Sequence, residues 1–559
     1  MQNWFAQKLL PELDFLKLDN LVSWFIFNPE EPMLFNTGRF LALFLVFYTI
    51  YIQLRNTFYP RLLYVICFSL YFYYLSSGLF FLLLVGTSLF DYLLAKWLIQ
   101  SKEAKTKKII LTISIVVNLG LLGYFKYTNF VIDTYNFFTD GHLDFKKIIL
   151  PVGISFFTFQ SISYVIEIYR KEIEPTKSYI DYLFFISFFP QLVAGPIVRA
   201  KDFLPQIYQK LNITKEEMDR GMLLIVGGVI KKVVISDYIS TNFVDRVYDL
   251  PNAYTSFENL MASYGYAIQI YCDFSGYSDM AIGIALLLGF KLPTNFRTPY
   301  QSKSITEFWR RWHISLSTWL KDFLYISVGG NRKGTFAGFL FPGLFFLGVL
   351  LWGIFSLNTS IIPLAIALIS IGVFALSFLL SKNVNKTMYT DVNLMTTMLL
   401  GGLWHGPSLR FIVWGALHGG ALAVHKLILE YFPDNGKKTI GKSIWNVIAI
   451  IITFHFVTFC WIFFRAKDFT NALEVISNIS KLTFNLDQWL IITQGYTNVF
   501  AVMLIGFIWH YIPENWMDKV RSGFINSPIV VKVFVFVFIY WLVFATAQEG
   551  PQPFIYFQF

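Results

Sequence analysis

The chain has 559 residues, 55% hydrophobic, 19% aromatic and only 14% charged, with a net charge of +10. A soluble domain carries roughly 25% charged residues, so the composition excludes an ordinary globular enzyme and points to a polytopic membrane protein. The three cysteines, Cys67, Cys272 and Cys460, stand in apolar settings, which excludes a disulfide framework and a cysteine-based zinc site. The positive balance belongs to cytoplasmic loops and calls for no nucleic acid.

Residues 1–32 read as an amphipathic lead-in, with Trp4, Phe5, Leu9, Leu10, Phe15 and Leu16 among charges. Pro11, Glu12 and Asp14 argue against a signal peptide there. Spans are expected near 35–53, 61–75, 78–99 and 108–130, and the basic links Arg55 to Arg61 and Lys102 to Lys108 place those turns in the cytoplasm. Pro151-Val152-Gly153-Ile154-Ser155 and Phe188-Phe189-Pro190-Gln191-Leu192-Val193-Ala194-Gly195-Pro196 are apolar runs cut by Pro and Gly, hence either re-entrant breaks or simple kinks. Lys231-Lys232 interrupts an apolar run and is expected to snorkel to an interface. Asp273 and Asp279 lie inside a hydrophobic segment, where carboxylates need partners; they either pin helices together or face a polar passage.

Residues 291–333 are the most charged stretch, with eight bases against Glu307 and Asp322. Ser304 with Glu307 reads as a capping box. Trp309, Trp312, Leu316 and Trp319 then make one helical stripe, expected to lie in the cytoplasmic interface with His313 beside it. An anion site is the sharper reading of the same residues. Apolar runs at about 336–357 and 360–381 have the length of a transmembrane hairpin, and spans near 445–464, 496–512 and 528–546 follow. No internal repeat is visible.

Between them lies the stretch that holds most chemistry, Gly401-Gly402-Leu403-Trp404-His405-Gly406-Pro407-Ser408. Proline must interrupt a helix, and the 13 residues from Val392 to Trp404 span only about 20 Å. His405 is therefore expected at a backbone break part-way through the membrane, where irregular backbone survives only beside a cavity or within protein. An ionisable group at that depth is a functional candidate, with a structural histidine at a helix end as the alternative. His418 and His425, seven residues apart, share a helical face; a metal site from all three histidines is not expected.

The run Phe308-Trp309-Arg310-Arg311-Trp312-His313-Ile314-Ser315-Leu316-Ser317-Thr318-Trp319-Leu320, followed by Gly401-Gly402-Leu403-Trp404-His405-Gly406, resembles the membrane-bound O-acyltransferases, and most closely their alginate O-acetyltransferase branch. Gln191 to Pro196, Tyr271 to Asp279, Val328 to Arg332 and the terminal Phe554-Ile555-Tyr556-Phe557-Gln558-Phe559 fit that branch too. Residues 1–32 precede the usual start, and 336–385 looks like an inserted hairpin expected to be peripheral, within one membrane domain over 33–559. The resemblance implies an all-α fold of ten or more transmembrane or re-entrant helices around a central tunnel in the inner membrane. It implies acetyl-CoA as donor substrate with no resident cofactor or metal, and an extracytoplasmic polysaccharide such as alginate as acceptor. An SGNH-type acetyltransferase outside the membrane and membrane lipid are the implied partners. His405 takes the catalytic position and His313 the second one. Trp404, Asp273, Asp279 and Gln191 are then placed along the tunnel, and Arg310, Arg311, Lys321 and Arg332 against the CoA phosphates. The oxyanion would be met by backbone N–H groups at the break or by His313. A transporter and a non-catalytic export scaffold are the competing readings.

Overall fold

The computed structural model describes residues 24–139, 141–355, 362–432, 440–546 and 554–555. The chain is 78% helical, with no strand among the described residues, which establishes the all-α class. Among the described residues, five helical runs are long and apolar enough to cross a bilayer, and two bent pairs raise that to seven. The first run, Phe58–Gln100, joins two helices through a short turn at Gly78–Phe80, and shorter apolar helices such as Gly38–Leu54 add to the set. Of the amphipathic lead-in, 1–23 lies outside the described residues. Residues 24–37 form turns held by Arg39, which donates to the Trp24 and Ile26 carbonyls at 2.7 and 3.0 Å.

The chain divides into two compact units. The first holds residues 24–229 and 277–292 of those described. Phe189 is the centre of its aromatic core, with the rings of Phe40, Phe44, Phe47, Phe68 and Phe72 within 6.4 Å. The two Pro/Gly runs are true breaks. Gly153 has φ +74° and stands so close to the Leu192 carbonyl that any side chain would overlap it. The second run is a four-residue helix, Phe189–Leu192, set off from Tyr179–Ser187 by Phe188. Asp91, which the sequence reading passes over, lies inside the first run; it accepts from Ser114 Oγ at 2.8 Å and Asn118 Nδ2 at 3.0 Å, tying that helix to Ala104–Thr139.

The second unit holds 230–276, 293–546 and the tail residues Phe554 and Ile555. Here Lys232 corrects the snorkelling expectation. The residue is 1% exposed and its side chain is ion-paired to Asp237 at 2.8 Å and Asp273 at 2.5 Å. The second oxygen of Asp273 accepts the Ile555 N–H at 3.0 Å, so this carboxylate pins two helical segments and the tail. The helices Phe336–Phe355 and Ile362–Leu379 form the expected hairpin, whose tip at 356–361 lies outside the described residues. Far from standing clear, it docks on the helix Val384–His405, where Thr396 Oγ1 donates to the Gly338 carbonyl at 2.7 Å and Ser377 Oγ to Asp391 at 3.1 Å.

Removing one member of a buried ion cluster leaves its partners charged and unpaired, at a cost of about 3–5 kcal/mol. Lys232→Met is therefore expected to lower the thermal midpoint in detergent well below wild type, and adding Asp273→Asn to recover part of the loss. An unchanged midpoint in Lys232→Met would show that the cluster contributes nothing.

Candidate active site

The site grows from one close helix pair in the second unit, Val384–His405 against Leu409–Tyr431. Three glycines set their separation. A side chain on Gly402 would overlap the Phe411 carbonyl, one on Gly415 the Met398 carbonyl, and one on Gly419 would meet Met395. Small residues at such spacing let two backbones approach where lipid supplies no hydrophobic drive. Between the helices Gly406 is extended (φ −173°, ψ 159°) and Pro407 cannot continue the turn, so His405 is the last helical residue.

His405 is 4% exposed and walled by aromatics, with Trp404, Trp414 and Phe464 ring centres at 4.9, 5.1 and 5.0 Å. Arg410, absent from the sequence reading, fastens the turn: its Nη1 donates to the Phe464 carbonyl at 2.6 Å and its guanidinium lies over Phe411. Trp404 neighbours two imidazoles, 4.9 Å from His405 and 6.3 Å from His313. The structure thus brings His405, Trp404 and His313 together although 92 residues separate the two histidines in the sequence.

His313 sits in a turn, and this corrects the tryptophan stripe. The expected continuous helix breaks into Ile305–Arg311 and Ile314–Trp319, because His313 adopts a left-handed φ of +42°. Trp312 is 1% exposed, packed on Trp461 at 5.0 Å, and so belongs to the core rather than to an interface. Ser304 does cap its helix, accepting the Glu307 N–H at 3.2 Å, but Glu307 reaches back to the Lys303 N–H instead of closing the box on Ser304. Asn295 Oδ1 accepts both N–H and Oγ–H of Ser315, which marks it as the carbonyl oxygen. His313 Nδ1, 3.1 Å away, therefore donates to it, and Nε2 is the lone-pair nitrogen. The turn lies outside the candidate spans, and burial pushes the imidazole down to about 3, keeping it neutral. A neutral ring in this tautomer accepts at Nε2, so it is no oxyanion donor.

The other expected site residues divide between the two units. Asp273 shares the unit, and its neighbour Phe274 packs edge-on against His313 at 4.6 Å, but one of its oxygens is in the ion cluster and the other accepts the Ile555 N–H. Gln191 and Asp279 belong to the first unit, where Gln191 donates to the Phe185 carbonyl at 2.5 Å. Arg310, Lys321 and Arg332 are exposed, whereas Arg311 is held by Glu307 at 2.7 Å and by Thr298 at 3.2 Å. Asn393 donates to the Gly330 and Lys333 carbonyls, which ties the loop bearing Arg332 to the His405 helix. His418 and His425 do share a face. Trp309 Nε1 donates to His418 at 3.3 Å, and Thr306 bonds His425 at 2.9 Å.

A family model described as membrane-bound O-acyltransferase matches residues 170–356. The peptidoglycan O-acetyltransferase of Helicobacter pylori is 33% identical and similar over 80% of each chain. Probable alginate O-acetylases of Pseudomonas aeruginosa and Pseudomonas putida are 34% and 35% identical, covering 89% and 82% of this chain and 84% and 81% of their own. The chain belongs to the membrane-bound O-acyltransferase family, in its alginate O-acetyltransferase branch. As such it is a multi-pass membrane protein of an acyltransferase family.

Overpacking a tight contact costs typically 1–3 kcal/mol. Gly402→Ala is expected to lower thermal stability in detergent by that order, whereas Gly420→Ala, with no atom within 4 Å of its added methyl, should leave it unchanged. Equal midpoints for both variants would reject the close-packed interface.

Proposed function

We propose that the chain transfers an acetyl group from acetyl-CoA, entering on the cytoplasmic side of the inner membrane, towards hydroxyls of an extracytoplasmic polysaccharide. His405 acts as the general base. The observation that carries this reading is the buried imidazole at a helix break, with Trp404 beside both it and a second imidazole. Acyl transfer from a thioester to a hydroxyl needs a base whose pKa lies near neutrality, which imidazole supplies. His405 takes the hydroxyl proton as the oxygen attacks the thioester carbonyl; the C–S bond then breaks and the proton passes to the departing thiolate. The N-terminal end of the helix Leu409–Tyr431 lies at the break, and the partial positive charge of a helix N-terminus can there meet the developing oxyanion.

His405 lies twelve residues beyond Asn393, about 18 Å along the helix. Asn393 is also where the loop carrying Arg332 is tied down, so a nucleotide held at that loop would reach a reaction centre roughly half-way through a ~30 Å hydrocarbon layer. Donor and acceptor would meet there from opposite faces, and CoA need not leave the cytoplasm. The relatives modify alginate and peptidoglycan by name. Both polymers carry glycan hydroxyls, which supports a polysaccharide as the acceptor class; in this proposal an SGNH-type acetyltransferase outside the membrane completes the transfer.

His405→Ala should abolish transfer of labelled acetyl from acetyl-CoA while inserting and purifying as wild type does; normal turnover by a folded variant rejects the assignment. Replacing Cys67, Cys272 and Cys460 together should leave activity, since the attack is direct; a thioester-linked label on the wild-type protein, lost with activity in the triple variant, would reject direct transfer. For the nucleotide, Arg310→Ala or Arg332→Ala should erase the preference for acetyl-CoA over its 3′-dephospho form. Such a loss corresponds to about 1.5–3 kcal/mol, or roughly 10- to 100-fold in affinity. Arg311→Ala should not erase it, because that guanidinium already holds Glu307 and Thr298. If all three variants keep the preference, the phosphate lies elsewhere.

A further inference from the structure

The helix Leu409–Tyr431 carries two buried nitrogen donors that the reaction above does not use. His418 is 0% exposed, and its tautomer follows from its partner. An indole N–H only donates, so the bond from Trp309 Nε1 makes His418 Nδ1 the acceptor and leaves the proton of the neutral ring on Nε2. That Nε2–H has no hydrogen-bond acceptor among the described residues. One turn earlier on the same face, the indole N–H of buried Trp414 has none either. The two rings are 4.7 Å apart, and Trp414 lies 5.1 Å from His405. Buried donors are paired in more than nine cases in ten, and each one left unpaired costs on the order of 1–3 kcal/mol. Two in succession beside the candidate base are accounted for when a ligand supplies the acceptors.

Their position says which ligand. The stripe Trp414, His418, His425 runs from the break towards the exposed end of the helix at Tyr431. There Thr306 bonds His425, and Arg310 lies close enough to bear on that ring electrostatically. His418 and His425 stand nine and sixteen residues beyond Leu409, about 13 and 24 Å along the helix. The stripe therefore joins the basic surface to the reaction centre. Its chemistry is neutral: two N–H groups set among the rings of Phe308, Trp309, Trp461 and Phe456. A phosphate would call for charge-assisted partners, and a sugar hydroxyl for acceptors as well as donors. Amide carbonyls, which only accept, match a pair of N–H donors.

We propose that Trp414 Nε1–H and His418 Nε2–H bind the two amide carbonyls of the donor's pantetheine arm, one helical turn apart, and so lead the thioester to His405. This rests on the acyl-CoA reading above. Trp309 then acts as a positioning residue, because its N–H selects the His418 tautomer that donates.

The test uses membrane vesicles bearing the full chain and follows thiol release from acetyl-CoA and from ethyl thioacetate, which has no amide. His418→Asn keeps an acceptor for Trp309 but loses the far donor, and Trp414→Phe keeps the ring but loses its N–H. Each is expected to raise KM for acetyl-CoA about tenfold with kcat within about threefold. The loss should be specific to the amide-bearing donor, so that the ratio of kcat/KM for acetyl-CoA to that for ethyl thioacetate falls about tenfold in each variant. His418→Gln, whose amide nitrogen stands near the position of Nε2, should retain most of the acetyl-CoA affinity. A variant of lower stability is still informative, since ethyl thioacetate measures its intact fraction. Equal losses on both thioesters, or an unchanged KM for acetyl-CoA in both variants, would overturn the proposal. Wild-type vesicles that release thiol from neither thioester would instead overturn the acyl-CoA reading, and this subsite with it.

Discussion

The candidate site depends on how closely two helices approach around Gly402 and Gly415. At both points a glycine faces the carbonyl of the other helix, with no room for even a methyl group. Because the backbones are in contact, the turn Gly406 to Ser408 must be short, and a short turn with Pro407 in it can neither continue the first helix nor wander from it. That places His405 at a helix end, with Trp414 and Phe464 forming its walls and Arg410 closing the turn from the side. Any larger spacing would admit a longer loop and a mobile ring. The glycines thus act on the chemistry through geometry, without touching a reacting group.

A second constraint is that polar groups in an apolar interior need partners, and it sorts the buried charges by role. Lys232, Asp237 and Asp273 satisfy one another, with the last lone pairs of Asp273 taken by the tail at Ile555. Such a closed cluster fixes architecture. Arg465 does likewise with Asp245, and Asp91 with Ser114 and Asn118. Around His405 the pattern differs: its walls are aromatic rings, and the cation at the turn, Arg410, donates to the Phe464 carbonyl and lies over the Phe411 ring. Within the second unit, ion pairs hold helices together and aromatic rings surround the candidate base.

How far the residues announce this arrangement varies with the range of the interaction involved. The break at His405 was legible because Gly-Pro inside an apolar run is a local statement about backbone, and so was the shared face of His418 and His425. The helical class and most spans were legible for the same reason. The tryptophan stripe failed because periodicity assumes an unbroken helix. The left-handed turn at His313 is held by Asn295, eighteen residues earlier, and no local signal marks that contact. Lys232 failed for a related cause. A lysine in an apolar run snorkels when alone, and its partner Asp273 lies 41 residues away in sequence. The hairpin at 336–381 was visible as two apolar runs, but its docking on Val384–His405 rests on Thr396 and Ser377, each unremarkable alone.

The neutrality of the rings around His405 bears on the proposed reaction itself. Converting a thioester and a hydroxyl into an ester and a thiol moves a proton but creates no net charge between start and finish. A site in a low-dielectric layer is best served by groups that shuttle that proton and meet a transient oxyanion without carrying a fixed charge of their own. A permanent cation aimed at the His405 ring would oppose protonation of the base at the moment it is needed, and a permanent anion would oppose the oxyanion; Arg410 instead turns its guanidinium to the Phe464 carbonyl and the Phe411 face. The neutral His313, with its lone pair on Nε2, fits the first requirement. Helix-end N–H groups at the break, which offer partial charge without an ion, fit the second. The exposed cations Arg310, Lys321 and Arg332 stand at the surface, where a polyanionic head group can be held without its field entering the reaction centre.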